Sequence, residues 1–135
     1  MLHAPSSAFG PKRVLELLFP HHPSWPSPQG EALFTLSDDG TSLHYKLIVA
    51  NIQNVTQSHI HRAPFGVNGG IVVWLYPSAP PAQLIPGRSQ GILAEGVITD
   101  AQVIGSLAGT GVAGLLAEIR AGNTYDSCLA RFAGR

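Results

Sequence analysis

The chain has 135 residues, enough for one domain that buries roughly two thirds of the surface its unfolded form exposes. Its formal net charge is zero and only 12% of its residues are charged, which argues against nucleic acid or an anionic membrane as a partner. A hydrophobic fraction of 44% excludes general disorder, the single cysteine excludes an internal disulfide and a cysteine zinc cluster, and no apolar run approaches the ~18 residues of a membrane helix.

Residues 1–28 read as a proline-rich arm. Pro5, Pro11, Pro20, Pro23, Pro26 and Pro28 lie too close together for a stable helix or strand. Only "KRVLELLF" has room for about two helical turns, and a helix that short is marginal without packing. As a secretory signal the stretch is poor, because Glu16 interrupts the apolar part and no small-residue cleavage site follows. His21 and His22 are adjacent, so in an extended segment they face opposite ways and cannot readily share an ion.

From Gly30 the pattern becomes regular, and residues 29–135 read as the folded domain. "EALFTLS" and "SLHYKLIVANI" alternate as strands, the second placing Leu43, Tyr45, Leu47 and Val49 on one face. Asp39-Gly40 between them is a strong hairpin signal, since glycine tolerates positive φ. "QSHIHRA" reads as a short strand, "FGVNGG" as a turn, and "IVVWLY" as a strand covered on both faces. Residues 76–91, with Pro77, Pro80, Pro81 and Pro86, read as a surface loop. "GILAEGVIT" is a further strand, Thr99 caps a short helix in "TDAQVIGSLAG", and "VAGLLAEIRAG" forms a second helix ended by Gly122.

These pieces in this order resemble the CHRD domain, the module repeated in chordin. The matching segments are "GEALFTLSDDGTSLHYKLIVANIQNVTQSHIHRAPFGVNGGIVVWL", "GVIT" and "LLAEIRAGNTY", together spanning Gly30 to Tyr125. The resemblance implies an all-β fold, a small antiparallel sandwich or barrel-like domain with one or two short helices late in the chain. It also implies a non-enzymatic structural or protein-binding module, usually extracellular and often bacterial, whose partner the sequence does not name. After N-x-Y the family usually continues with V-N-V-H-T and then G-E-I-R-G, which look like its last strands. Here the chain reads "DSCLARFAGR". The expectation is therefore that closing strands are divergent or missing, leaving an open sheet edge and a route to self-association.

The chemistry of the sequence centres on His59 and His61. In a strand the two share a face with β-carbons about 7 Å apart, a spacing at which two neutral imidazoles can meet one zinc or copper ion. A third ligand is wanting. The V-N-V-H histidine of the family is absent, and His44 serves only if its strand neighbours the pair. The competing reading has both histidines hydrogen-bonding to backbone and carboxylate and ordering the glycine turn. A copper/zinc superoxide dismutase needs further histidines late in the chain, and none of the six lies beyond His61.

Other features read as structural. Cys128 has no nucleophile signature and reads as a small packed hydrophobe. Asp38 and Asp39 are turn residues, and Asp100 sits in a helix's first turn, where its charge is favourable. "VNGG" lacks the spacing and lysine of a phosphate loop. Asn54-Val55-Thr56 is a glycosylation acceptor sequence only on a eukaryotic secretory route. Trp74 and Tyr76 read as core. No catalytic constellation emerges, no cofactor is required, and the chain reads as a non-enzyme.

Overall fold

The first hairpin follows from alternation and one turn. The structure, a computed structural model, describes residues 13–18, 29–64 and 67–130. In it, strand β2 (Gln29–Leu36) pairs antiparallel with strand β3 (Leu43–Arg62), register Ala32 with Leu47 and Phe34 with Tyr45. Ala32, Phe34, Leu43, Tyr45, Leu47 and Val49 are all buried, which is the face the alternation selects. Gly40 takes φ 75° in the turn. Beside it the Asp39 carboxylate accepts from Ser37 Oγ at 2.7 Å, Thr41 N at 3.1 Å and Thr41 Oγ1 at 2.8 Å. Those bonds, led by the Ser37 hydroxyl, hold its carboxyl below the usual range.

The strands read separately as "SLHYKLIVANI" and "QSHIHRA" are one strand of 20 residues. It changes partners at two asparagines, Asn51 (φ 62°) and Asn54 (φ 56°), where the pairing with β5 (Ile85–Ile98) slips register. Asparagine tolerates this left-handed conformation better than other side-chain-bearing residues, so the bend falls there. Asn54 also spends its side chain on the fold, accepting the Gly87 N–H at 3.0 Å.

Before the bend β3 lies between β2 and β5; after it β3 lies between strand β4 (Gly70–Tyr76) and strand β6 (Thr124–Ala130). The two halves share one core that joins Leu43, Tyr45, Leu47 and Val49 to Ile60, Val73 and Leu75. Across it the Tyr45 hydroxyl donates to Leu75 O at 2.6 Å. The expectation of a small antiparallel all-β domain is met, with all six strands among the described residues in one sheet.

Other expectations need correction. Residues Arg13–Leu18 form a strand, β1, paired with β2 in place of helical turns. An edge strand supplies every second backbone group with a partner, which a two-turn helix cannot do alone. The rest of the arm, His21 and His22 included, lies outside the described residues. The surface loop ends at Leu84, because β5 begins at Ile85 and pairs Ile85 with Val55 and Ser89 with Ile52. Last, "TYDSCLA" is a closing strand. β6 pairs with β3 from Val55 to Arg62, so the gap expected in the sheet is filled over that stretch.

The helical excursion is smaller than expected at its start. Thr99 does cap, its N–H donating to Gln102 Oε1 at 2.7 Å, but the segment makes only two single 3₁₀ turns, Asp100–Gln102 and Gly105–Leu107. Helix α1 (Gly111–Arg120) then buries Val112, Leu115, Leu116 and Ile119. Asp100 accepts the Val112 N–H at 2.8 Å, a carboxylate on the helix's first turn. At the other end Gly122 (φ 78°) donates to Ile119 O and Asn123 to Glu118 O, the paired bonds that close a helix on a left-handed glycine.

Candidate functional site: the histidine pair and its loop

β3 has β4 on one side and β6 on the other at the histidines. His59 pairs with Trp74 and Ser127, and His61 with Ile71 and Tyr125. Period-two alternation then sorts the side chains. Gln57, His59, His61, Tyr125 and Ser127 share the outer face; Ser58, Ile60, Asp126 and Cys128 share the inner one.

His61 is fully committed. Its Nδ1 lies 2.8 Å from Gly69 O, and a carbonyl can only accept, so Nδ1 carries the proton. Nε2 is then an acceptor and takes the Ser127 hydroxyl at 2.8 Å. The Tyr125 ring stacks on the imidazole, with centroids 5.0 Å apart and 4° between planes. Tyr125 Oη in turn accepts the Gly69 N–H at 3.1 Å. Both backbone polar groups of Gly69 are thus held by side chains from β3 and β6. A Cβ on Gly69 would run into Arg62 O and Ala63 Cβ, which explains why glycine stands there.

His59 differs. It is 1% exposed, lies edge-on to Trp74 at 4.4 Å and to His61 at 5.6 Å, and bonds Gln57 Oε1 through Nε2 at 2.9 Å. Its Nδ1 is buried without a partner. Burial, with the neighbouring His61 adding, pushes its pKa down to about 4, so the ring is neutral above that pH. His44 does not join the pair. It lies near the far end of β3, opposite Thr35 and Val97, with a half-exposed side chain 4.0 Å from Glu95. No group of three or more histidine, cysteine, aspartate or glutamate residues suited to a metal ion occurs among the described residues.

Three features of this region escaped sequence reading. Arg62 donates to Glu118 at 2.7 Å, and Glu118 also accepts Asn123 Nδ2 at 3.0 Å, tying β3 to α1 and to the turn before β6. The Asn123 bond, then the Arg62 bond, holds the Glu118 carboxyl below its usual range. The second is Gly69, whose role shows only once Arg62 is seen against it. The third is Asp126, wholly buried, with Oδ1 3.2 Å from Ser58 Oγ and Oδ2 unpartnered. Burial drives its carboxyl well above the usual range, the Ser58 bond countering only in part. Burial, with Asp126 adding, pushes the nearby Cys128 thiol up to about 12, so it stays protonated at neutral pH, and it packs against the core.

Chemically the Ser127–His61–Gly69 chain has the order of a hydroxyl, a base and an orienting carbonyl. The Gly69 N–H beside it is spent on Tyr125, so it is not free to stabilise an oxyanion. What the arrangement does is clamp a loop.

Among known families, the profile of the CHRD domain matches residues 18–125. The chain belongs to the CHRD domain family. No curated relative and no solved structure matches it. This CHRD domain belongs to a family not known as enzymatic, in keeping with a non-enzymatic module. Its sequence signatures now have a geometry: the H-x-H strand, the N-G-G turn and the N-x-Y segment meet at Gly69. No helix among the described residues is long and apolar enough to cross a membrane.

Proposed function

We propose that this CHRD domain is a structural or protein-binding module, acting outside the cytoplasm, whose H-x-H pair shapes a loop and carries no chemistry. The observation that carries this reading is the clamp. Both ring nitrogens of His61 and both backbone groups of Gly69 are used in holding residues 67–70 against β3 and β6. Loops held on a rigid scaffold are where binding surfaces are usually found. The partner is a protein whose identity the chain does not specify.

A second reading is favoured by one observation. His59 Nδ1 is buried, unpartnered and on a neutral ring, the state in which imidazole ligates zinc or copper. Titrating Zn(II) and Cu(I) into the folded chain while following the histidine ring signals separates the two. On the structural reading, binding is weak and stability rises by less than ~1 kcal/mol at modest metal excess. Stoichiometric binding that is lost in both His59→Ala and His61→Ala would establish the metal reading instead.

A further inference from the structure

The polar side chains on the inner face of β6 are out of place in a core. Thr124, Asp126 and Cys128 face inward on this strand, opposite Arg62, Ile60 and Ser58. Thr124 is 8% exposed and Asp126 0%, and Thr124 Oγ1 and Asp126 Oδ2 both lack a hydrogen-bond partner. The one side chain bonded to Asp126 is Ser58, whose hydroxyl is also 2.9 Å from Ser127 O.

No cation reaches the carboxyl among the described side chains. The titratable groups on the elements packed round Asp126 are Tyr125 and Cys128 on β6, His44, Tyr45, Lys46, His59, His61 and Arg62 on β3, Tyr76 on β4, and Glu118 and Arg120 on α1. The thiol is neutral, Tyr45 donates to Leu75 O, and Arg62 and Glu118 are bound to each other. Strand β1 contributes Arg13 and Glu16 by sequence. An ionised carboxylate in this place is an uncompensated buried charge, whereas a protonated one is merely an under-satisfied polar group.

We propose that Asp126 makes β6 a proton-dependent latch, docked on β3 while the carboxyl is neutral and loosened when it ionises. Loosening uncovers the edge of β3 from Val55 to Arg62, the backbone that β6 otherwise pairs. The latch also reaches the clamp, because Tyr125 and Ser127 flank Asp126 on the same strand and hold His61 and Gly69. This goes beyond the binding reading and does not depend on it.

The sign follows from the direction of the shift. A carboxyl whose folded pKa lies above its unfolded value of 3.8 favours the docked state most at low pH, and that support fades as pH rises toward the folded value. His59 works the other way. Its folded value of about 4 lies below 6.5, so its contribution is complete above 6.5 and is lost as pH falls below that. The thiol, with a reference value of 9.0, becomes relevant only at higher pH. An interval of about pH 6.5 to 8 therefore sets His59 and the thiol aside, and variants neutral at position 126 separate Asp126 from every other group.

The test is amide hydrogen exchange across that interval, corrected for the intrinsic pH dependence of exchange. Opening of the amides of residues 125–128 should rise by up to about tenfold per pH unit, while the amides of residues 43–49 keep their protection. Asp126→Asn, which is always neutral, should abolish the rise, and Asp126→Val is the second variant if the asparagine form does not fold. A wild-type profile that is flat, a rise shared equally by residues 43–49, or an undiminished rise in the neutral variants would overturn the latch.

Discussion

The two halves of β3 hold their neighbours by different means. From Leu43 to Ala50 the strand presents an unbroken apolar inner face, and every buried residue of β2 and β3 there is hydrophobic or, in Tyr45, an aromatic with its hydroxyl satisfied. From Val55 to Arg62 it is flanked by polar burial: Ser58, His59, Thr124 and Asp126 are the buried polar residues among those described, and all lie here or on β6. The first half is stabilised by area removed from water, at about 25 cal/mol per Å². The second depends on particular hydrogen bonds, each worth about 1 kcal/mol net and costly when left unmade. A pattern-built half tolerates changes that keep size and polarity; a bond-built half responds to single atoms.

Two substitutions sharpen that contrast. Leu47→Ala, in the first half, opens a cavity at a side chain with no exposure and should cost about 3 kcal/mol, read as a lower denaturation midpoint with unchanged slope. A loss under ~1 kcal/mol would mean that the first half is not the close-packed part. Asp126→Val, in the second half, should act in the opposite direction. It removes a buried carboxyl with an unpartnered oxygen and places an apolar side chain on the inner face, for a gain of about 1–2 kcal/mol at neutral pH. A loss of stability would mean that the Ser58 bond outweighs the cost of burying the acid.

The same contrast explains what was legible in the sequence. The first hairpin could be read because Leu43, Tyr45, Leu47 and Val49 alternate without exception and Asp39-Gly40 marks the turn. Helix α1 could be read from its spacing and from Gly122 beyond its end. The join at Asn51 and Asn54 could not, because two asparagines in an apolar run look like a break between strands when they in fact supply left-handed bends within one. β6 was hidden by Asp126, since a carboxyl at an inward position destroys the alternation that identifies a strand. β1 was hidden for a different reason: "RVLELL" suits a helix locally and becomes a strand only because β2 offers an edge.

At the histidine pair, spacing told which face the rings share but not what they bond. A metal pair and a loop clamp have the same sequence. What separates them is the distance from His61 to Gly69 and Ser127, which are distant in the chain and adjacent only after β4 and β6 have docked. His44 shows the limit of the argument from strand neighbours, for it lies in the same strand as the pair and yet in its other half.

The account rests most heavily on the clamp, and the tautomer of His61 tests it directly. Long-range ¹H–¹⁵N correlation spectra of the metal-free protein, at a pH where the imidazoles are neutral, distinguish a protonated Nδ1 from a protonated Nε2. The bonds to Gly69 O and from Ser127 Oγ require Nδ1 to carry the proton and Nε2 to accept. A single, static Nδ1–H form that gives way to averaging between tautomers in a Tyr125→Ala and Ser127→Ala double variant is the predicted result. An Nε2–H form, or rapid averaging in the wild-type protein, would contradict the clamp.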